Sequence, residues 1–244
     1  MALPVNQDHL FKFDSTGSST DDSSNRLSGY THSIQDRNHS QRSATEAYIA
    51  KRFKAVHDAR IDHFLPFFLT TSKHEKLTAA AGFSPGQCGG MFIEHYLEAP
   101  IEQLIARLEE QPVSRSQIVE IGNLVVTDRM SGLLLFVFLA QFLHLSGFKW
   151  MAFTATSSVE KMIQKLGYSP FYLADARADH LGDVAKNWGR YYGNNPRVMV
   201  GNLDQASAHI TSVSGLNTLA AGFLEQSRRL ATVWTKSTRE PSHV

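Results

Sequence analysis

Apolar positions change period along this chain, and each change marks an element. Tyr48, Ile49, Phe53 and Val56 share one helical face, and Thr45 with Glu46 opens the pattern, which predicts a helix to about residue 60. Upstream, Leu10, Phe11 and Phe13 predict a short edge strand over 9–13. Between the two, 14–42 is dominated by Ser, Thr, Asp, Asn, Gln and Arg, with only Leu27, Tyr30 and Ile34 as apolar anchors. Such a stretch does not repay the entropy of ordering and reads as a flexible linker. The runs 64–70 and 76–83 predict a hairpin around the polar turn 71–75. After a Pro- and Gly-rich loop at 85–90, the apolar run 91–96 follows, and then a short helix from Pro100 through Ile101, Leu104, Ile105 and Leu108 that stops at Pro112.

The second half alternates strand and helix. Ile118, Val119, Ile121, Leu124, Val125 and Val126 make 116–127 the strongest strand, interrupted by Glu120, Gly122 and Asn123. An apolar helix over 131–145, a strand over 150–154, a helix over 157–166 stopped by Gly167, and a last core strand over 168–174 complete the order. A strand–helix–strand unit with short connections implies parallel pairing, so this half is α/β. Leu216, Leu219, Phe223, Leu230 and Val233 predict an amphipathic terminal helix from 206 onward.

Composition narrows the classes. Lys and Arg number 24 against 23 Asp and Glu, a net charge of +1, which supplies no field for nucleic acid. Cys88, the single cysteine, forms no intrachain disulfide, and 1–13 offers no export signal, so residence in the cytoplasm is expected. The apolar window 132–146 carries Gln141 and His144 and is too short to span a bilayer. No metal site is expected, because the eleven histidines show no ligand spacing.

Candidate chemistry gathers around the strong strand. Its following turn, Thr127-Asp-Arg-Met-Ser-Gly-Leu-Leu134, runs straight into a helix, where free N–H groups and the positive dipole end favour anions. Arg129 adds charge and Gly132 permits close approach, and the Arg-x-x-Gly spacing resembles the acyl-CoA pyrophosphate loop of GNAT acyltransferases; Ser131 as an ordinary N-cap is the plainer reading. Leu124, Val125, Val126, Arg129, Met130, Ser131, Gly132 and Leu133 are therefore the candidate thioester-binding residues, with Thr154 and Thr156 at the end of the next strand. Glu120 sits among residues destined for burial, where desolvation raises a carboxyl toward the range of a general base; a sheet-face ion pair explains it equally well. Gly122 marks a bulge or splay of the strand, and Asn123 lies beside it. Glu94, if 91–96 is extended, is a second carboxylate facing Glu120 or else the solvated half of an edge strand. The aromatics of Trp188-Gly-Arg-Tyr-Tyr192 suit either an acyl or amine pocket or a cover over the core.

Taken together, Phe92-Ile-Glu-His-Tyr-Leu-Glu-Ala-Pro-Ile-Glu102, Ile118-Val-Glu-Ile-Gly-Asn-Leu124, Phe153-Thr-Ala-Thr156, Leu166-Gly167 and Trp188-Gly-Arg-Tyr-Tyr192 resemble the thermostable hemolysin family of bacterial proteins. The resemblance runs from about 46 to 203. It implies a domain over 46–203, preceded by the strand and polar linker of 1–45 and followed by a helical tail over 204–244. The implied fold is α/β (α+β): a GNAT-like central mixed sheet with splayed parallel strands flanked by helices, similar to LuxI-type acyl-homoserine-lactone synthases. The LuxI-type pattern Glu-x-Ser-Arg stands here as Glu120-Ile-Gly-Asn123, so the carboxylate carries over and the Ser-Arg pair does not.

The function expected on this basis is N-acyl transfer from acyl-CoA or an acyl-carrier protein, used as co-substrate with no tightly bound cofactor, to an amine. Glu120 is the expected base, with Asn123 and Glu94 as further candidate catalytic residues and Tyr172, Tyr191 or Tyr192 as proton donor to the thiolate. The family name implies the alternative of a membrane-lytic protein, although no spanning segment supports membrane contact. A noncatalytic thioester-binding module is the third reading.

Overall fold

The computed structural model describes residues 27–239, so the strand expected at 9–13 lies outside the described residues. The described strands are β1 (Tyr30–Gln35), β2 (Phe67–Lys73), β3 (Lys76–Pro85), β4 (Ile118–Val126), β5 (Trp150–Ala155), β6 (Phe171–Asp175) and β7 (Arg197–Asn202). They form one sheet in the order β1-β2-β3-β4-β5-β7-β6. All neighbours are antiparallel except β4 and β5, the pair joined through helix α3 (Arg129–Leu145), because that crossover returns the chain in the same direction.

Helices cover both faces. On one, α1 (Arg42–His57) packs Ile49 and Phe53 on Phe68, Ala80 and Val125. Beside it, a 3₁₀ turn over Phe92–Tyr96 and α2 (Ile101–Glu109) cover Ile118, Trp150, Ala152, Val198 and Val200. On the other face, α3 packs Leu134, Leu135, Phe138 and Phe142 against Val119, Ile121 and Phe83. Helix α3 is apolar nearly all round because it is sandwiched: α5 (Leu203–Ser212) and α6 (Ser214–Arg239) pack on its outer side, while α4 (Ser157–Lys165) follows β5.

Four expectations change. Residues 30–35 of the expected linker form β1, whose ordering is repaid by pairing with β2 and by cover from α6: the His32 ring lies between Phe138 and Phe223, and Gln226 Nε2, 194 residues downstream, donates to the His32 carbonyl at 2.8 Å. The run 91–96 is a 3₁₀ turn rather than extended. The strand after Gly167 is a half-exposed edge, and the core position beside β5 belongs instead to β7, where Val198, Met199, Val200 and Gly201 are buried. The terminal helix is two helices, broken at an extended Val213.

Arg42 fixes α1 to the sheet. Its guanidinium donates to the carbonyls of Pro66 (2.9 Å) and Leu65 (2.6 Å), pairs with Glu46 and lies 3.8 Å over the ring of Phe68. Arg42→Ala leaves buried carbonyls without donors and is expected to cost about 2–4 kcal/mol, measured as a lowered urea midpoint with the slope unchanged.

Candidate functional site

The site begins where β4 and β5 separate. They pair only from Ile118↔Trp150 to Ile121↔Phe153; beyond that, β5 continues against β7 alone. On its other edge, β4 carries a bulge: Gly122 pairs with Gly82 and Val125 with Ala80, so Asn123 and Leu124 oppose the single residue Ala81. Asn123 adopts φ 48, the left-handed region that Asn tolerates. Its side chain is spent locally, Oδ1 accepting from Leu65 N–H at 2.9 Å and Nδ2 donating to the His63 carbonyl at 3.2 Å. Gly82 makes room for that amide, since a Cβ there would come within 2.8 Å of Asn123 Oδ1.

A cavity of about 190 Å³ fills the gap and runs through the sheet, more than ten times the roughly 10–15 Å³ that one water needs. On the α1 face it is lined by Phe53, His57, Phe92, Tyr96, Trp188 and Tyr191 around Glu120. Gly122, Asn123 and Leu124 of β4 and Thr154 and Thr156 at the end of β5 form its waist. On the other face it is mostly apolar, between Phe136, Val137, Leu139 and Ala140 of α3, Val159 and Ile163 of α4, Ile210 of α5 and Leu216 of α6, with His209 of α5 as a polar lining residue.

Glu120 is buried at 3% exposure and held by the start of the 3₁₀ turn: Phe92 N–H donates to Oε2 at 2.9 Å and Ile93 N–H to Oε1 at 3.0 Å. Burial pushes its carboxyl up to about 7, against the opposite pull of those two N–H groups. A carboxylate accepts about four hydrogen bonds, so acceptor capacity toward the cavity remains. His57 is pushed down by burial and then by the charge of Arg190. Burial raises the Tyr96 and Tyr191 hydroxyls well above the usual phenol range, and Tyr96 Oη lies 2.6 Å from Tyr192 Oη. Gly189 lets the loop carrying Trp188 and Tyr191 close on α1: its φ is 53, and a Cβ there would collide with the His57 carbonyl.

The structure thus brings Glu120, Asn123, Leu124, Thr154, Thr156 and Tyr191 to one cavity. Glu94 does not face it. Arg115 holds Glu94 through two contacts of 2.7 and 2.6 Å and also pairs with Glu102 at 2.7 Å. The Arg115 hydrogen bonds keep the Glu94 carboxyl down at about 2. Tyr172 stands on the edge strand at 50% exposure with its hydroxyl 3.1 Å from Asp175, away from the cavity. Val125, Val126, Arg129, Met130, Ser131, Gly132 and Leu133 do not line the cavity either. The N-cap of α3 is Asp128 rather than Ser131: its carboxylate accepts from Ser131 N–H at 3.0 Å and lies 2.7 Å from Ser131 Oγ, placing a negative charge of the chain itself where an anion was expected.

Phe53, His57, Phe92 and Tyr96 join the site without a signal of their own in the sequence. The pair Phe53 and His57 fell on one face of α1, and the proximity of that face to Glu120 follows only from the tertiary packing.

A mixed sheet whose two parallel strands part around a through-cavity is the LuxI-type, GNAT-like acyltransferase fold. The CoA-dependent acyl-homoserine lactone synthase BjaI, solved with SAM and isopentyl-CoA, aligns with a TM-score of 0.50 at 12% identity, over 72% of this chain and 84% of that one. The acyl-homoserine-lactone synthase LasI gives 0.49 at 11% identity over 71% and 90%. FeeM, an N-acyl amino acid synthase from uncultured soil microbes, gives 0.47 at 11% over 71% and 90%. In sequence, residues 35–207 match the thermostable hemolysin family, and the chain belongs to that family. No curated protein sequence matches it. Leu216, which lines the cavity, lies beyond the matched residues.

Glu120 sets a pH dependence of known sign. Below pH about 4.5 the carboxyl is protonated both folded and unfolded. Between about 4.5 and 7 the unfolded chain loses that proton first, so stability contributed by this group falls as pH rises. Relative to wild type, Glu120→Gln is expected to gain about 3 kcal/mol between pH 4.5 and 7.5, read from urea midpoints at the two pH values; a constant difference would mean that Glu120 ionises as an exposed carboxyl does.

Proposed function

We propose that this protein is an N-acyltransferase that moves an acyl group from a thioester, carried on CoA or an acyl-carrier protein, to an amine. The observation that carries the reading is the buried carboxylate of Glu120 at the mouth of a cavity whose far lobe is lined by apolar side chains of four helices. BjaI, solved with SAM and isopentyl-CoA, shares the fold and supports thioester chemistry in such a cavity.

The acyl chain occupies the lobe between α3, α4, α5 and α6, which puts the thioester carbonyl at the waist. There the β4 backbone from Gly122 onward has no strand partner on its β5 side, so its polar groups face the reacting carbonyl. The amine enters on the aromatic side as its ammonium and loses one proton to Glu120. Its lone pair then forms the C–N bond, the tetrahedral oxyanion collapses, and the C–S bond breaks. The second amine proton passes to the departing thiolate, with the Tyr191 hydroxyl as the relay on the cavity wall. The products are an amide and a free thiol, and Glu120 returns its proton to solvent.

A purely lytic reading finds less support: among the described residues no helix is long and apolar enough to cross a membrane. Lysis caused by a surfactant-like N-acyl product requires the acyl donor, so purified protein without donor separates direct from indirect lysis.

Incubation with acyl-CoAs and mixed amines, followed by mass spectrometry and thiol release, is expected to show amide formation. Glu120→Gln is expected to lower kcat/KM by about 10²–10⁴-fold, and an unchanged rate would remove the role given to Glu120. Leu216→Trp, which fills the far lobe, is expected to reduce kcat/KM more for long-chain than for short-chain donors; equal losses for all chain lengths would place the acyl group elsewhere.

A further inference from the structure

The aromatic lobe is chemically one-sided. Among the described residues lining the whole cavity, Glu120 is the one acid and there is no Lys or Arg. Of the two lining histidines, burial and then the charge of Arg190 favour neutral His57, and His209 Nε2 is engaged with the Leu166 carbonyl. The Asn123 amide, the remaining side-chain N–H₂ group at the waist, is spent on the His63 carbonyl. Nearby guanidiniums are committed outside the lobe, Arg115 to Glu94 and Glu102 and Arg42 to Glu46 and two carbonyls. Arg190 is exposed and does not line the cavity, although its charge acts on both His57 and Asp58.

What the lobe does offer suits a cation. Trp188 lies 5.2 Å from Tyr191 and 5.7 Å from Phe92, ring centre to ring centre, and Tyr191 lies 5.3 Å from His57. Aromatic faces attract an ammonium group, and the Glu120 carboxylate stands among them with acceptor capacity left. An acceptor carrying its own carboxylate would bury that charge without a counterion and beside a like charge, which is strongly unfavourable.

Resting on the acyl-transfer reading, we infer that the acceptor is a primary amine without a carboxylate, with an aromatic or branched-alkyl remainder, held as a cation between Glu120 and the Trp188–Tyr191–Phe92 faces. Free amino acids are excluded by the same feature that admits the amine. The amide product is uncharged, which eases its release past the one carboxylate.

The test uses the full-length protein and matched pairs differing by the carboxylate: 2-phenylethylamine against phenylalanine, and isopentylamine against leucine, with phenylalaninamide as an amino acid whose carboxylate is masked. Calorimetry without donor is expected to show the carboxylate-free amines and phenylalaninamide binding at least about tenfold more tightly than the amino acids. Turnover with an acyl-CoA is expected to keep that order in kcat/KM. Arg190→Gln is expected to leave the preference unchanged. Equal or tighter binding of the amino acids overturns the inference, and if Arg190→Gln abolishes that binding, Arg190 is a carboxylate anchor. Failure of every pair to bind overturns it as well. Selective amine binding with no thioester consumed leaves the carboxylate-free amine site standing and removes the acyl-transfer reading, and with it the role of that amine as acceptor.

Discussion

Everything at the centre of this molecule depends on two parallel strands that stop pairing after four residues. β4 and β5 share hydrogen bonds from Ile118 and Trp150 to Ile121 and Phe153, then diverge. Two constraints keep them apart. The bulge at Asn123 bends β4 and is locked by the Asn123 amide on the 63–65 segment. β5, meanwhile, is held along its other edge by β7 through Ala155. Closing the gap would require breaking one of these ladders. A sheet that would otherwise separate two cores therefore contains a passage joining them.

The carboxylate at that passage is positioned by a chain of polar contacts. Arg115 grips Glu94 and Glu102, and it also donates to the carbonyls of Gly86 and Gly89. Glu94 in turn accepts from Met91 N–H and Ile101 N–H, closing the short turn at both ends. With the turn fixed, Phe92 and Ile93 N–H groups aim at Glu120. Glu94 thus serves the site as a support for its backbone donors. Burial and those donors oppose one another at Glu120, and burial wins because the aromatic lobe replaces most of its hydration.

Division of labour between the two lobes follows from strand alternation. Glu120 and Ile118 point to one face, Val119 and Ile121 to the other. The first face is covered by α1 and by loops rich in aromatic side chains, the second by helices whose facing side chains are apolar. The buried carboxylate and the apolar lobe are thereby kept on opposite sides of a single layer, with the splay as a short route between them. The C-terminal helices extend this arrangement past the region shared with the family, since α6 contributes Leu216 to the far lobe and also covers β1 through Phe223.

Local pattern was enough for the elements that carry their own signal. The hairpin of β2 and β3, the apolar helix α3, the parallel pair β4 and β5, and Gly122 as the place where β4 is disturbed were all legible, because period, β-branched content and turn residues are properties of neighbouring positions. β7 carries a short signal of its own, Val-Met-Val after Asn194-Asn195-Pro196. β1 had almost none: its order is supplied by β2 and by α6 from the far end of the chain. Glu120 was identifiable as a carboxylate set among apolar neighbours, yet its partners were not, since Phe92 and Ile93 meet it only because 91–96 curls into a turn instead of extending. Likewise the helix start after β4 promised anion binding by sequence, and Asp128 occupied it. The sequence alone determined the hairpin, the apolar helix and the parallel pair, and which residue types stand at the splay. The tertiary structure decided which of them face one another, because burial, hydrogen-bond partners and counterions are set by segments brought together from distant parts of the chain.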